Sequence, residues 1–169
     1  MGKIEEKGIT NRPSVFNIRE LFKEILDEVQ GILKDGQQIK FHKKGEDDMV
    51  NLDKQHFSNI VLNLISNAIK YSPGGKTITV SVGYHNHHLE INVKDEGIGI
   101  PDEDQKRLFN TFYRAHNVTN IPGTGMGLHI VKKYLDSMGG TIDFTSQVNR
   151  GSTFTVKLKQ ADITQNTGA

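Results

Sequence analysis

Four groups of residues carry types and spacings that suit chemistry. Asn63, Asn67, Lys70 and Tyr71 stand at i, i+4, i+7 and i+8, so a helix lines them along one flank. Asparagine costs about half a kcal/mol in a helix interior relative to alanine, so two on one flank call for a reason. A polar face turned to water is one reason. A ligand face is the other: amide oxygens suit a hard cation such as Mg2+, and an ammonium group suits a phosphate. Asp95-x-Gly97-x-Gly99 sets one carboxylate beside two residues that let a ligand approach the backbone. A carboxylate there can accept a hydrogen bond from the exocyclic amine of adenine, where guanine presents a carbonyl. An ordinary Asp-Gly turn fits the same residues.

Gly123-Thr124-Gly125-Met126-Gly127-Leu128 alternates glycines ahead of a helical pattern. A helix N-terminus exposes amides and partial positive charge, and so can hold phosphates. The spacing is neither G-x-G-x-x-G nor G-x-x-x-x-G-K-[ST], so neither a Rossmann dinucleotide site nor a P-loop is supported. The fourth group is Phe109, Phe112, Tyr113 and Arg114 on an otherwise polar stretch. Such aromatics suit a flap that docks and releases, and Arg114 could reach a terminal phosphate. A local apolar contact with a solvated arginine is the plainer alternative.

The elements that must position these groups follow from periodicity. Asn17 caps a helix carrying Ile18, Leu21, Phe22, Ile25, Leu26 and Val29, with Glu20 as its capping-box partner. Ile39 and Phe41 mark a short strand. A second helix after Asp53 buries Phe57, Ile60, Val61, Leu64, Ile65 and Ala68, and Pro73-Gly74-Gly75 stops it. Ile78, Val80 and Val82, then Leu89, Ile91 and Val93, alternate as a hairpin. Pro101 opens a short helix bearing Leu108 and Phe109. Leu128, Val131, Leu135 and Met138 form a third helix, closed by Gly139 and Gly140, and two strands follow (Ile142, Phe144; Phe154, Val156, Leu158). The expected fold class is α+β, a two-layer α/β sandwich.

Composition narrows the classes. The chain has 169 residues, which suits one domain, and 35% are hydrophobic, enough for a core. There is no cysteine, which excludes disulfide scaffolds, thiolate zinc sites and cysteine nucleophiles. The net charge of +1 gives no sign of a nucleic-acid binder. No apolar run is long enough to cross a bilayer, and the first residues contain no apolar signal core.

In order, the chain presents an asparagine helix, D-x-G-x-G, a phenylalanine-bearing loop, G-x-G-x-G and a closing Gly151-Ser152-Thr153. This resembles the catalytic, ATP-binding domain of bacterial sensor histidine kinases, where the five segments are known as the N, G1, F, G2 and G3 boxes. The run Asn63-Leu64-Ile65-Ser66-Asn67-Ala68-Ile69-Lys70-Tyr71-Ser72-Pro73 is especially close, and the likeness extends over roughly Phe16 to Leu158. It implies a Bergerat fold: a mixed sheet of about five strands, three helices on one face, and a mobile ATP lid between Phe109 and Thr124.

By this resemblance Asn67 ligates Mg2+ with Asn63 on the same face, Lys70 contacts phosphate, and Tyr71 lines base and ribose. Asp95 reads the adenine amino group, with Thr153 close to it through water. Gly97 and Gly99 admit the base and Ile100 walls it. Gly123, Thr124, Gly125, Met126 and Gly127 cradle the phosphates, Leu128 closes over the purine and Arg114 reaches the γ-phosphate. Asn67, Lys70 and Arg114 are the catalytic candidates, and ATP and Mg2+ the implied cofactors. The domain division is 1–14 linker or disordered end, 15–159 catalytic domain, 160–169 disordered tail.

The family's phosphoacceptor histidine lies in an H-E-L or H-D-L type motif on a separate dimerisation domain. None of the seven histidines here sits in that context. His85, His87 and His88 crowd a turn, where alternation along a strand works against a shared metal site. The hydrolytic relatives of the fold, and the anti-sigma-factor serine kinases, carry a glutamate four residues before the metal-binding asparagine. Here that position is Asn63, which cannot serve as a general base. The resemblance therefore implies phosphoryl transfer to a histidine elsewhere. A regulatory nucleotide-binding module and a hydrolytic ATPase of this fold are the alternatives. The implied partners are the dimerisation and phosphoacceptor domain and a response-regulator receiver domain. Nucleic acid and direct membrane contact are not expected, the domain alone would be monomeric, and the implied location is the cytoplasm under a membrane-anchored parent.

Overall fold

The computed structural model describes residues 9–85, 87–110 and 127–159. Its centre is a five-stranded sheet in the order β2-β4-β5-β7-β6. These strands are β2 (Gln38–Lys43), β4 (Thr77–His85), β5 (His88–Asp95), β6 (Thr141–Gln147) and β7 (Gly151–Lys159). Only β2 and β4 run parallel, in the register Phe41↔Val80. The other pairs are antiparallel, with Val80↔Val93, Val93↔Phe154 and Phe144↔Phe154 in register. One face of β4, β5 and β7 is apolar because their hydrophobic residues fall at every second position. Ile78, Val80, Val82, Leu89, Ile91, Val93, Val156 and Leu158 are all buried on it.

Three helices cover that face: α1 (Ile18–Val29), α2 (Lys54–Tyr71) and α4 (Gly127–Met138). As expected, the Asn17 side chain caps α1 by accepting from the Glu20 N–H. Asp53 caps α2 by accepting from the His56 N–H. The six apolar positions assigned to α2 are buried, and His56 and Ile69 join them. Phe22 on α1 stacks on Phe41 of β2 at 4.8 Å and meets Phe57 of α2 edge-on at 6.0 Å, which fastens both helices to the sheet. α4 buries Val131 and Leu135 and ends at Gly139, whose φ of +69° suits only glycine without strain.

Two elements differ from expectation. β1 (Ser14–Asn17) pairs antiparallel with β3 (Met49–Leu52), forming a small second sheet. Each has four residues, too short for alternation to stand out, and β1 begins at Ser14, where the stretch that suggests a linker ends. Ahead of it the Arg12 N–H donates to Asp53 Oδ2 at 2.8 Å. The helix after Pro101, α3, spans only Asp102–Gln105, so Leu108 and Phe109 lie in the turn beyond it. The segments assigned to the lid, Arg114 and Gly123 to Met126, and the tail lie outside the described residues.

Candidate functional site

The site forms where the C-terminal half of α2 meets the start of α4 and the loop after β5. Asn63, Asn67, Lys70 and Tyr71 lie half-buried along one flank of α2, as their spacing predicts. Asn63 Nδ2 donates to the Asn59 carbonyl at 2.7 Å, one turn back, which leaves its Oδ1 to point outward. Opposite stands Gly127, the first residue of α4. A Cβ there would lie 3.4 Å from Asn63 Oδ1 and 3.5 Å from Asn67 Nδ2. The glycine therefore keeps a gap between the asparagine flank and a helix N-terminus. Lys70 Nζ sits 5.8 Å from the centroid of the Tyr71 ring. Leu128 packs partly buried against the core.

At the far end of α2 the chain hands over to the loop after β5. The Tyr71 carbonyl accepts from Ile98 N–H at 3.2 Å. Gly97 lies so close to that carbonyl that any Cβ would overlap it. Gly99, at φ +71°, is pressed against the Gln147 carbonyl in the same way. Here both glycines are required by close backbone approach to protein, whereas the sequence suggests approach by a ligand.

Asp95 ends β5 and is 8% exposed. Its Oδ1 accepts from Gly97 N–H at 2.9 Å and from Ser152 N–H at 3.2 Å. Among the described residues Oδ2 has no donor. Burial raises the carboxyl pKa, and the two backbone N–H groups partly oppose that rise. An open cleft of about 290 Å³ adjoins Asp95, lined in part by Ser146, Gly151, Ser152 and Thr153. Thr153 pairs with Lys94, one step from Asp95. Ile100 is held by a bond from its N–H to Ser146 Oγ at 2.8 Å.

The structure thus unites Asn63, Asn67 and Gly127 beside the C-terminal half of α2, and Tyr71, Asp95, Gly97, Gly99 and Ile100 at its C-terminal end. Sequence reasoning gives no role to two serines: Ser152, whose backbone N–H fixes Asp95, and Ser146. The closing Gly-Ser-Thr is the only sequence signal for the first, and nothing local marks the second. Phe109 packs edge-on against Phe144 at 5.9 Å, and its carbonyl lies 3.3 Å from His129 Nδ1. Among the described residues no group of three or more His, Asp or Glu side chains could hold a metal ion.

Residues 52–162 match the family described as histidine kinase-, DNA gyrase B- and HSP90-like ATPases. The chain belongs to this family. Within it, the chain is a catalytic, ATP-binding domain of the sensor histidine kinase kind. It is 40% identical over 113 residues to the sensor histidine kinase WalK of Bacillus subtilis, covering 64% of this chain and 18% of WalK. It is 34% identical over 158 residues to the sensor histidine kinase YvrG of the same species, covering 93% of this chain and 26% of YvrG. The chain therefore spans about a quarter or less of these relatives. Among solved structures, the catalytic domain of histidine kinase ThkA superposes with a TM-score of 0.73 at 25% identity, covering 88% of this chain and 96% of that one. The mixed sheet with helices on one face is the expected Bergerat architecture. Among the described residues no helix is long and apolar enough to cross a membrane.

Proposed function

We propose that this domain holds Mg-ATP and delivers its γ-phosphoryl group to a histidine on a dimerisation and phosphoacceptor domain. The observation that carries the reading is Asn63. It occupies the position where hydrolytic members of the fold place a glutamate, and its amide is tied to the Asn59 carbonyl. Neither an amide nor its neighbours on that flank can take a proton from water at neutral pH. A site that binds the triphosphate without activating water keeps it for a better nucleophile.

The residues present fit the implied cofactors. Asn67 makes no side-chain hydrogen bond to a described residue, and its amide oxygen suits Mg2+, with Asn63 beside it. The metal would screen the charge of the phosphate oxygens. The N-terminus of α4 at Gly127 offers amides to the phosphates, continuing the Gly123-Thr124-Gly125-Met126 run, and Lys70 and Arg114 supply cationic charge. At the other end, Asp95 Oδ2 accepts from the adenine amino group, Tyr71 and Ile100 flank the base, Leu128 closes over it, and Thr153 joins Asp95 through water. In the transfer the bond from the γ-phosphorus to the ADP oxygen breaks and a bond to the acceptor imidazole nitrogen forms. Catalysis then rests on holding donor and acceptor in line. A response-regulator receiver domain would take the phosphoryl group next, on the cytoplasmic side.

The test is transfer of radiolabel from γ-labelled ATP. The domain alone should bind ATP without labelling itself. Adding a dimerisation domain from a sensor kinase of this family should give acid-labile phosphohistidine on that partner. Acid-stable self-labelling, or rapid phosphate release by the domain alone, would overturn the reading.

A further inference from the structure

Ser146, on β6, belongs to none of the motifs that mark the site, yet it touches two of the segments that build it, through three residues. Its Oγ accepts from Ile100 N–H at 2.8 Å, lies 2.7 Å from Ser152 Oγ, and donates to the Gly151 carbonyl at 3.2 Å. A serine hydroxyl has one proton and two lone pairs. The proton goes to Gly151, so both lone pairs are left for Ile100 and Ser152. Ser152 must then donate its own hydroxyl proton to Ser146. All three valences are then filled.

The consequence reaches the carboxylate. Ser152 N–H holds Asp95 Oδ1, and Ile100 is the wall beside the base. One hydroxyl therefore joins the loop after β5 to the strand that orients Asp95. A second side chain secures the same loop: Gln105 Nε2 lies 3.1 Å from the Ile100 carbonyl and 3.4 Å from the Ser146 carbonyl. Both backbone polar groups of Ile100 are thus held by side chains outside the motifs. The turn between β6 and β7 completes the support, with Asn149 N–H bonded to the Ile98 carbonyl at 2.8 Å.

We infer that Ser146 is a positioning residue for purine recognition, fixing the distance between the Asp95 carboxylate and the Ile100 wall, with Gln105 as its auxiliary. This rests on the reading of Asp95 as the acceptor for the adenine amino group. Loss of Ser146 should therefore weaken discrimination between bases more than it weakens binding of the triphosphate.

The experiment is competition of a labelled nucleotide by ATP and by inosine triphosphate, which has a carbonyl in place of the amino group. The wild-type domain should prefer ATP. Ser146→Ala should cut that ATP-over-ITP ratio about tenfold. Ser146→Thr, which keeps the hydroxyl, should restore it, and Gln105→Ala should lower it by less. A Ser146→Ala domain that melts earlier but keeps the wild-type ratio has lost only stability, which overturns the proposal. If Ser146→Ala does not fold, the half-buried Gln105→Ala decides, and an unchanged ratio there overturns it equally. A wild-type domain with no preference for ATP overturns the role of Asp95, a separate result.

Discussion

Lys34 lies across the C-terminal end of α2, its Nζ 2.8 Å from the Lys70 carbonyl and 2.7 Å from the Ser72 carbonyl. Gln37 reaches the same end from the next turn, donating to the carbonyls of Ile69 at 3.1 Å and Ser72 at 3.3 Å. A helix end leaves its last carbonyls without partners and carries partial negative charge, and these two side chains answer both. Lys34→Met should cost about 1 kcal/mol in chemical denaturation, since the ammonium is exposed. Gln37→Leu should cost about 2 kcal/mol, because the buried carbonyls lose donors that water cannot replace. The reverse order would show that charge rather than desolvation dominates at this helix end.

Asp95 should trade stability for function. Burial raises its folded-state pKa above the unfolded value. For such a group the stabilisation is fully present below the unfolded pKa and is lost as pH rises through the folded pKa. At neutral pH the buried carboxylate is thus a cost to the unliganded domain. Asp95→Asn keeps an oxygen for the Gly97 and Ser152 N–H groups and removes the charge. Its melting temperature without nucleotide should equal or exceed that of wild type, while Mg-ATP should no longer raise it. A variant that melts earlier yet is still protected by ATP would contradict the assignment.

Asp48 should behave in the opposite sense. The hydrogen bond from Lys43 Nζ lowers its pKa, burial partly opposes this, and Arg19 adds to the lowering. The stabilisation is present above the unfolded pKa and is lost as pH falls through the folded value. Asp48→Asn should therefore be less stable than wild type at neutral pH, and the two should converge as pH falls below about 4. Urea titrations at a series of pH values measure this, and a gap that widens in acid would refute it.

Two glycines should respond differently to alanine. At Gly99 the backbone is left-handed and a Cβ would strike Gln147, so Gly99→Ala should destabilise the domain by more than about 1 kcal/mol. At Gly127 the nearest described atoms a Cβ would meet are those of the Asn63 and Asn67 amides, at 3.4 Å or more, and alanine favours helix. Gly127→Ala should fold at least as stably as wild type and bind Mg-ATP more weakly, because the methyl fills the gap at the asparagine flank. Calorimetry on both variants, with and without nucleotide, separates these outcomes.

What could be read from sequence was what repeats or crowds locally. The α2 stripe from Phe57 to Ala68 and the alternation of Ile78, Val80 and Val82 each encode burial over several turns or residues, so helices and central strands were legible. Asp95, Gly97 and Tyr71 were legible as a set because their types are unusual together. The bonds that hold them were not. Ser146 lies 46 positions from Ile100, and Lys34 lies 38 from Ser72. A serine or lysine at such a distance has no local signature, because its role is set by the fold that brings it near. The pairing of β1 with β3 escaped for a related reason: each is four residues long, and their partnership spans all of α1.

The sheet order has a consequence for synthesis. β7, the last strand among the described residues, lies between β5 and β6 and not at an edge. Until residues 151–159 leave the ribosome, β6 has no neighbour in the sheet and β5 lacks one of its two partners. The Asp95 carboxylate likewise waits for the Ser152 N–H, supplied by the same strand. A nascent chain stalled before Gly151 can form the α2 stripe and the β4–β5 hairpin, but Asp95, the proposed adenine acceptor, still lacks one of its two backbone donors. The proposed nucleotide pocket is therefore assembled among the last parts of the domain, and on that proposal ATP cannot reward folding until translation of the domain is nearly complete.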